Sequence, residues 1–385
     1  AAALVSVTFG VRQVFGLFLV PISNALDGGV QIFSLAIAVQ NLIWGLSSPF
    51  FGAAADRFGA WRVAAFGVMI YAAGLLSMAF VVTESGIFFG QILIGMGLGS
   101  AGISIAVGAA ARAAPPEKRS LAMGLVTSFG SFGQFALVPV AQIMMNEHGW
   151  QFAIVILSAI VASMVAVTLG MRVPAGGARP LEGITQSAGS ALRQATGSRD
   201  YILLTVGFFV CGLQLVFITT HLPTYLQDAG LSAEIASWSL ALIGLFNIIG
   251  AFMCGWIGGI VSKKKTLAIV YLLRGLIIAS FISLPASPAM ALFFGAAMGL
   301  LWLGTIPLTS GLILAFFGPR HLMMLYGLVF LSHQIGSFTG AWLGGIWYDV
   351  FGNYEAMWWL NAAAGFFAFA VNWAIREPKP AAVPA

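Results

Sequence analysis

The sequence has 385 residues, of which 60% are hydrophobic and 8% are charged, and its mean hydropathy is +0.98. Soluble domains carry about 25% charged residues, so this composition excludes a water-soluble enzyme or binding module of this size. The formal net charge is +5, but the sequence holds no Walker loop, metal-ligand cluster or nucleophile–His–acid arrangement. It therefore predicts no cofactor, no metal, no nucleic-acid partner and no enzymatic activity.

Twelve apolar segments are long enough to cross a bilayer as helices, which takes about 20 residues each. The sequence therefore predicts an all-α polytopic membrane protein with twelve transmembrane helices. The segments are residues 3–24, 30–55, 61–82, 86–111, 120–146, 149–172, 200–223, 231–260, 266–284, 288–317, 321–348 and 354–375.

A long polar stretch, residues 173–199, separates the sixth segment from the seventh. It predicts two six-helix halves, residues 1–172 and 200–385, joined by a cytoplasmic linker. Apart from Arg12 and Arg274, every Lys and Arg falls on one side of the membrane if both termini lie there. Because cytoplasmic loops are enriched in Lys and Arg, we expect a multi-pass protein of the bacterial inner membrane with both termini in the cytoplasm.

The two halves resemble each other at an offset of about 203 residues. Gly124–Val126 recurs as Gly327–Val329, and Gly133 matches Gly336. Parallel six-helix repeats are typical of transporters in which one half rocks against the other.

The loop after the second segment contains Gly52, Asp56, Arg57, Gly59 and Arg62. It resembles the signature loop between the second and third helices of the major facilitator superfamily. An acid at a helix end can pair with basic groups or cap a neighbouring helix, and a glycine permits a tight turn. The resemblance covers the whole chain. It implies the major facilitator fold, in which this loop latches the cytoplasmic side of the outward-open state.

Two further segments, Arg12–Phe18 and His333–Gly340, resemble bacterial members related to monocarboxylate and oxalate–formate porters. The resemblance implies a functional role for the basic residue of the first helix. Monocarboxylate porters also carry an arginine in the eighth helix, four residues after an Asp or Asn. Here Asn247 matches the first of these positions and Ala251 stands at the second, so the sequence does not name the anion.

Arg12 and Arg274 lie inside predicted spans, where a charge costs at least about 2.5–3.5 kcal/mol. No Asp or Glu lies in the core of any predicted span. Because a guanidinium binds a carboxylate through two parallel hydrogen bonds, both arginines are candidate ligands of an organic anion. Two alternatives stay open. Carbonyls and amide side chains could satisfy Arg12, and Arg274 could brace the C-terminal half through the carbonyls of a broken helix.

His333 is the candidate for proton coupling, because it lies well inside the eleventh segment and imidazole titrates near neutral pH. The alternative is a neutral histidine that joins two helices. His221, near the end of the seventh segment, is predicted to be a gate or structural residue.

Other polar and aromatic side chains in the spans are candidates for contact with the substrate. Each could instead hold helices together or pack between them. These candidates are Gln40, Asn41, Gln134, Gln214, Asn247, Gln334, Phe15 and Trp302.

The sequence thus predicts a secondary active transporter of small organic anions, either mono- or dicarboxylates. It would work by proton symport and rocker-switch alternating access. An organic-anion exchanger and an exporter of drug-like or amphipathic compounds are the alternatives. The expected partners are a small organic anion, a proton and the lipid bilayer, and we expect the protein to function as a monomer.

Overall fold

The computed structural model describes residues 1–26, 29–113, 119–171, 188–318 and 322–378, and these form a bundle of helices without a β-strand. The helices are α1 (Ala2–Gln13), α2 (Leu19–Leu26), α3 (Gly29–Phe58), α4 (Ala60–Phe80), α5 (Glu84–Ala101), α6 (Ile103–Ala113), α7 (Arg119–His148), α8 (Trp150–Leu169), α9 (Ala188–Thr196), α10 (Arg199–Asp228), α11 (Ala233–Ile260), α12 (Lys263–Ser283), α13 (Pro288–Leu301), α14 (Thr305–Phe317), α15 (Leu322–Phe351) and α16 (Glu355–Trp373).

Nine segments in the described part of the chain are long and apolar enough to cross a membrane. The long helices α7, α15 and α16 complete the twelve spans, which confirms the predicted fold class. Three spans consist of two helices each: α1 with α2, α5 with α6, and α13 with α14. Of the predicted linker, residues 173–187 lie outside the described residues, and the remainder contains the short helix α9.

The interruptions in the fourth and tenth spans occupy equivalent places in the two halves. The first lies at Gly102, between α5 and α6, and the second at Trp302–Gly304, between α13 and α14. The second interruption has a cause in the sequence, because Pro307 cannot donate the backbone hydrogen bond that would continue a regular helix. Both breaks free backbone groups inside a span, and these groups need partners there.

Hydroxyl side chains cap the starts of four helices in the C-terminal half. Ser198, Ser232, Ser262 and Ser287 each accept a hydrogen bond from the backbone amide three residues further on. Such caps satisfy donors that the first turn of a helix leaves free. They therefore fix where α10, α11, α12 and α13 begin.

Matching glycines let helices approach closely at equivalent places in both halves. A Cβ atom on Gly133 of α7 would lie 1.7 Å from the carbonyl oxygen of Ser6 in α1. A Cβ atom on Gly336 of α15 would lie 2.0 Å from the carbonyl oxygen of Phe209 in α10. Helices in membranes approach each other closely at small residues. The internal sequence repeat therefore corresponds to equivalent helix contacts in the two halves.

The halves meet along two seams, α3 against α15 and α7 against α11. The rings of Trp44 and Phe330 meet edge to face across the first seam, with centroids 5.4 Å apart. The side-chain amide of Asn247 donates to the hydroxyl of Ser131 across the second, at 2.9 Å. In the internal repeat, α3 corresponds to α11 and α7 corresponds to α15, so the two seams are equivalent.

We call the side of the bundle that holds the start of α1 and the end of α3 the N-terminal face, and the other side the opposite face. At the opposite face, the Asp349 carboxylate of α15 accepts hydrogen bonds from the amides of Val30 (3.0 Å) and Gln31 (2.7 Å). These amides form the first turn of α3. The acid therefore ties the two halves together at this face.

The described Lys and Arg residues outside the spans gather at one face. Those whose side chains are described lie at or next to helix ends on the N-terminal face: Arg57, Arg62, Arg193, Arg199, Lys263, Lys264, Lys265 and Arg376.

Candidate functional site

Arg12 lies in the last turn of α1, and its side chain reaches α3. Its Nη2 donates to Oδ1 of Asn41 at 2.7 Å, and its guanidinium carbon lies 5.2 Å from the ring centroid of Trp44. Asn41 holds its own orientation, because its Nδ2 donates to the carbonyl of Ile37 at 2.8 Å. The guanidinium is thus fixed against α3 by an amide oxygen and an aromatic face, both neutral partners.

A small cavity opens beside Arg12 at the junction of the halves. The N-terminal half lines it with Arg12, Phe15, Gly16, Ile37 and Gln40, and the C-terminal half with Val216, Thr219 and Thr220. The 3-10 segment Val14–Phe18 carries the chain past this point. A Cβ atom on Gly16 would lie 2.0 Å from the carbonyl oxygen of Thr219, so glycine is what allows α10 to close the cavity. The space admits about one water molecule.

The polar groups at this cavity are not fully satisfied. Nε of Arg12 and both amide atoms of Gln40 are buried and have no hydrogen-bond partner among the described residues. Buried polar groups in proteins are nearly always paired. The site therefore offers donors and an acceptor to a guest molecule.

His333 lies on α15, on the other side of the first seam, and is 9% exposed. Its Nδ1 lies 3.0 Å from Oε1 of Gln334 and 3.4 Å from the hydroxyl of Ser337. Its ring stacks on Phe330, with centroids 5.8 Å apart and planes 9° apart. Gln334 in turn donates from Nε2 to the backbone carbonyl of Asn41 at 3.1 Å. Four predicted site residues, Arg12, Asn41, Gln334 and His333, thus form one connected group.

Arg274 does not line the cavity. Its Nε and Nη2 donate to the carbonyl of Leu301, at 3.1 and 2.6 Å, and Nη2 also donates to the carbonyl of Trp302. Its Nη1 donates to Sγ of Cys211 at 3.4 Å, and the residue is 0% exposed. These carbonyls belong to the break between α13 and α14. Of the two roles that the sequence left open, the contacts of Arg274 match the brace of a broken helix.

The remaining predicted residues sit at helix contacts. Asn247 accepts from the amide of Leu303 in the same break, at 2.9 Å, besides donating to Ser131. Gln134 donates to Gln13 at 3.2 Å. Gln214 donates to the carbonyl of Asn361 at 2.9 Å, within the C-terminal half.

The aromatic candidates divide between the two places. Phe15 lines the cavity, whereas Trp302 lies at the break, where it is 2% exposed. His221 also lies away from the cavity, and its ring nitrogens pair with the hydroxyl of Tyr354 (3.0 Å) and the carbonyl of Ala341 (2.9 Å). It therefore joins α10 to α15 and to the start of α16.

The predicted gate residues lie at the corner between α3 and α4. Gly59 has a φ of +90°, as the tight turn requires. Arg57 lies over the ring of Phe58 (5.3 Å), and Arg62 donates to the carbonyl of Phe58 (3.3 Å). Gly52 has open space around it, and the side chain of Asp56 lies outside the described part. These contacts of Arg57 and Arg62 both lie within the N-terminal half.

Sequence reasoning missed Trp44, Thr219 and Thr220. Trp44 follows Asn41 by three positions, which places both on one face of α3 beside Arg12. Thr219 and Thr220 are adjacent polar residues in an apolar helix. Both signals can be recognised in the sequence once it is known that Arg12 faces α3 and α10.

Twelve spans in two repeated halves, with a cationic cavity where the halves meet, define a membrane transporter and not an enzyme. The family model for the Major Facilitator Superfamily matches residues 1–305 and 236–385. The chain belongs to this superfamily.

Three relatives align with most of the chain. An MFS-type transporter of Bacillus subtilis, YcxA, is 25% identical over 89% of this chain and 85% of its own length. Monocarboxylate transporter 13 of Bos taurus is 26% identical over 91% and 82%. The oxalate:formate antiporter of Oxalobacter formigenes is 23% identical over 96% and 88%.

Proposed function

We propose that this transporter carries small organic anions, with Arg12 as the ligand of the carboxylate. One observation carries the proposal: Arg12 and Gln40 line a cavity between the halves, and each has buried polar atoms without a partner among the described residues. A carboxylate would accept from the guanidinium fork and from the amide together. The relatives named as a monocarboxylate transporter and an oxalate:formate antiporter support the same class of cargo.

The surroundings of Arg12 favour a short monocarboxylate over a dicarboxylate. Among the described residues of the spans, Arg12 is the one cation at this cavity, because the donors of Arg274 go to the broken helix and to Cys211. Phe15, Ile37 and Val216 add apolar walls. A second carboxylate would therefore meet no second cation here.

The cavity must widen before it accepts such an anion, since it now admits about one water molecule. Widening follows if the halves rock about the site, as in other transporters built from repeats. In this proposal the loop from Gly52 to Arg62, with Asp56, Arg57 and Gly59, latches the N-terminal face when the opposite face is open.

His333 is the proposed proton carrier. It lies inside the membrane within the hydrogen-bonded group that contains Arg12, and intramembrane histidines serve as proton relays in transporters. Proton and anion would then cross together. The positive charge at the N-terminal face supports a cytoplasmic location for both termini in a bacterial inner membrane, and we take the monomer as the working unit.

The test is uptake of labelled lactate, pyruvate, formate and oxalate into proteoliposomes with an imposed pH gradient. Arg12→Met should lower uptake by about a hundredfold, because each hydrogen bond to a charged group contributes about 1.5–3 kcal/mol. Arg12→Lys should retain part of it, since the charge stays but the fork is lost. Arg193→Met, at an exposed arginine of α9, is the matched control.

Two results would contradict parts of the proposal. Normal uptake by Arg12→Met would remove the anion site. Uptake that needs an internal anion and ignores the pH gradient would replace symport by exchange, the mode that the name of the oxalate:formate relative carries.

A further inference from the structure

A chain of amide hydrogen bonds links the proposed anion site to the proposed proton site across the first seam. It runs from Arg12 through Asn41 and Gln334 to His333, and we call Asn41 and Gln334 the amide bridge. Gly45 makes room for it, since a Cβ atom there would lie 2.9 Å from Cβ and Cγ of Gln334. The bridge is the point where a polar side chain of α15 reaches the backbone of α3 beside Arg12.

The orientation of Gln334 determines which nitrogen of His333 carries the proton. Its Nε2 faces the carbonyl oxygen of Asn41, which only accepts, so Oε1 must face the imidazole. An amide oxygen also only accepts, and therefore Nδ1 of His333 donates. The neutral imidazole is thus the Nδ1–H form, and its Nε2 carries the lone pair.

Aromatic rings make a second connection between the same two ends. Trp44 contacts the guanidinium of Arg12 and meets Phe330 edge to face, and Phe330 stacks on His333. The imidazole is therefore held on its face by α15 and at its Nδ1 edge by the bridge. A sideways movement of α3 against α15 would change the contacts of Trp44 with Phe330 and of Asn41 with Gln334.

We propose that Gln334 is a positioning residue, which presents Nε2 of His333 as the proton acceptor and ties proton uptake to anion binding at Arg12. The inference rests on the proposed function of that site. A proton adds to the electron pair of Nε2 and later leaves from the same atom, while the Nδ1–H bond stays intact. The imidazolium so formed donates a stronger, charge-assisted hydrogen bond to Gln334.

The charges around His333 explain why an anion bound at Arg12 would assist proton uptake by His333. The titratable and charged groups near the imidazole are the Cys211 thiol of α10, Arg274 of α12 behind that thiol, and Tyr326 on α15. Arg12 completes the set through the bridge. Among the described side chains, no carboxylate joins this group. An anion on Arg12 offsets the positive charge at that end of the bridge, so a proton added to His333 meets less repulsion from it.

The first test is spectroscopic and needs no substrate. Nitrogen-15 NMR of histidine-labelled full-length protein in detergent, with the His333 signal assigned by His333→Gln, should show the Nδ1–H form in the wild type. Gln334→Leu removes the acceptor of the Nδ1–H group and should allow the Nε2–H tautomer to form. Gln334→Glu should keep Nδ1–H, because a carboxylate still accepts from it. A wild-type His333 in the Nε2–H form would overturn the positioning role whatever the protein carries.

The second test measures coupling in proteoliposomes with labelled pyruvate, lactate and oxalate. Gln334→Leu should lower accumulation driven by a pH gradient by about tenfold, within the range of couplings between two sites. Exchange of internal for external anion should fall by less than this accumulation does, because Arg12 keeps its bond to Asn41. Gln334→Glu should also lose drive, since it cannot donate to Asn41.

The outcomes separate this inference from the proposed function. If His333→Gln loses the gradient drive but Gln334→Leu keeps it, the bridge is overturned and His333 remains the proton carrier. If the wild type carries none of the three anions, the proposed function fails, and the tautomer experiment still decides the positioning role.

Discussion

A guanidinium inside a bilayer has five N–H donors and no water to accept them, so its role follows from which acceptors reach it. Arg274 finds the carbonyls of Leu301 and Trp302, which the break between α13 and α14 sets free. Arg12 finds one amide oxygen, from Asn41, and an aromatic face. The same residue type therefore completes the fold in one place and leaves capacity for a ligand in the other.

Replacing Arg274 by Met should lower stability and leave anion recognition intact. The change strands the two carbonyls of the break without donors, which costs about 1–3 kcal/mol for each group. We expect the midpoint of thermal unfolding of the purified protein in detergent to fall by several degrees. Arg12→Met is the matched control, since Arg12 bonds to a side-chain oxygen, that of Asn41, and to no freed carbonyl of the described residues. Its unfolding midpoint should move less. An Arg274→Met protein of unchanged stability that fails to bind anions would return Arg274 to the substrate site.

At the scale of the helices, glycine decides how closely α15 approaches α10. Gly336→Ala would place a methyl group 2.0 Å from the carbonyl of Phe209 and force the helices apart, at a cost of about 1–3 kcal/mol. Gly327→Ala lies on the same helix with nothing within 4 Å, and removing a helix glycine there should stabilise by up to about 1 kcal/mol. Thermal unfolding of both variants measures the contrast. Equal effects would mean that α15 does not rest on α10 at Gly336.

The Asp349 carboxylate at the first turn of α3 is a second device at this scale. Asp349→Ala removes the acceptor of the Val30 and Gln31 amides, a loss of about 1 kcal/mol by analogy with helix caps. We expect the population closed at the opposite face to fall about fivefold. Spin labels at Asn24 and Asn353, exposed residues on that face, report the distance between the halves.

Glu355→Ala is the control for that experiment. It removes an exposed acid from the same face without touching the start of α3. If both variants broaden the distance distribution alike, net charge and not the contact of Asp349 with α3 controls closure.

Much of the architecture was predictable because a bilayer requires long apolar helices and favours cations on one side. Long apolar segments and one-sided cations lead to twelve spans, and the pair Gly133 and Gly336 marks equivalent helix contacts. The placement of Arg12 beside Asn41 and Gln40 was also predictable, because all three are polar residues inside predicted spans. The partners of Arg274 were not, because they are backbone carbonyls that no side-chain pattern reports. Gly304 and Pro307 carried the available signal for that break.

At the scale of the whole molecule, the two seams repeat one arrangement. Ser131 and Gln334 are equivalent at the repeat offset of about 203 residues, and each bonds across its seam to an asparagine. Ser131 meets Asn247, which also holds the break between α13 and α14, and Gln334 meets Asn41, which holds Arg12. The first seam thus connects to Arg12, and the second connects to the break that Arg274 braces. Movement of the halves therefore acts on Arg12 and on the break.

A cross-link across the first seam tests whether transport requires that movement. A Cβ atom on Gly345 of α15 would lie 2.6 Å from Cβ of Ser34 in α3, whereas a disulfide needs about 3.8 Å. The Ser34→Cys/Gly345→Cys pair should therefore close after a shift of about 1 Å. Oxidised, the protein should stop transporting, because the bond holds α3 on α15 toward the opposite face; reduction should restore uptake. The two single variants, oxidised in the same way, control for damage to the buried Cys211 and Cys254. If the cross-linked protein transports at the rate of its reduced form, the halves do not part along this seam, and opening at the opposite face must occur elsewhere.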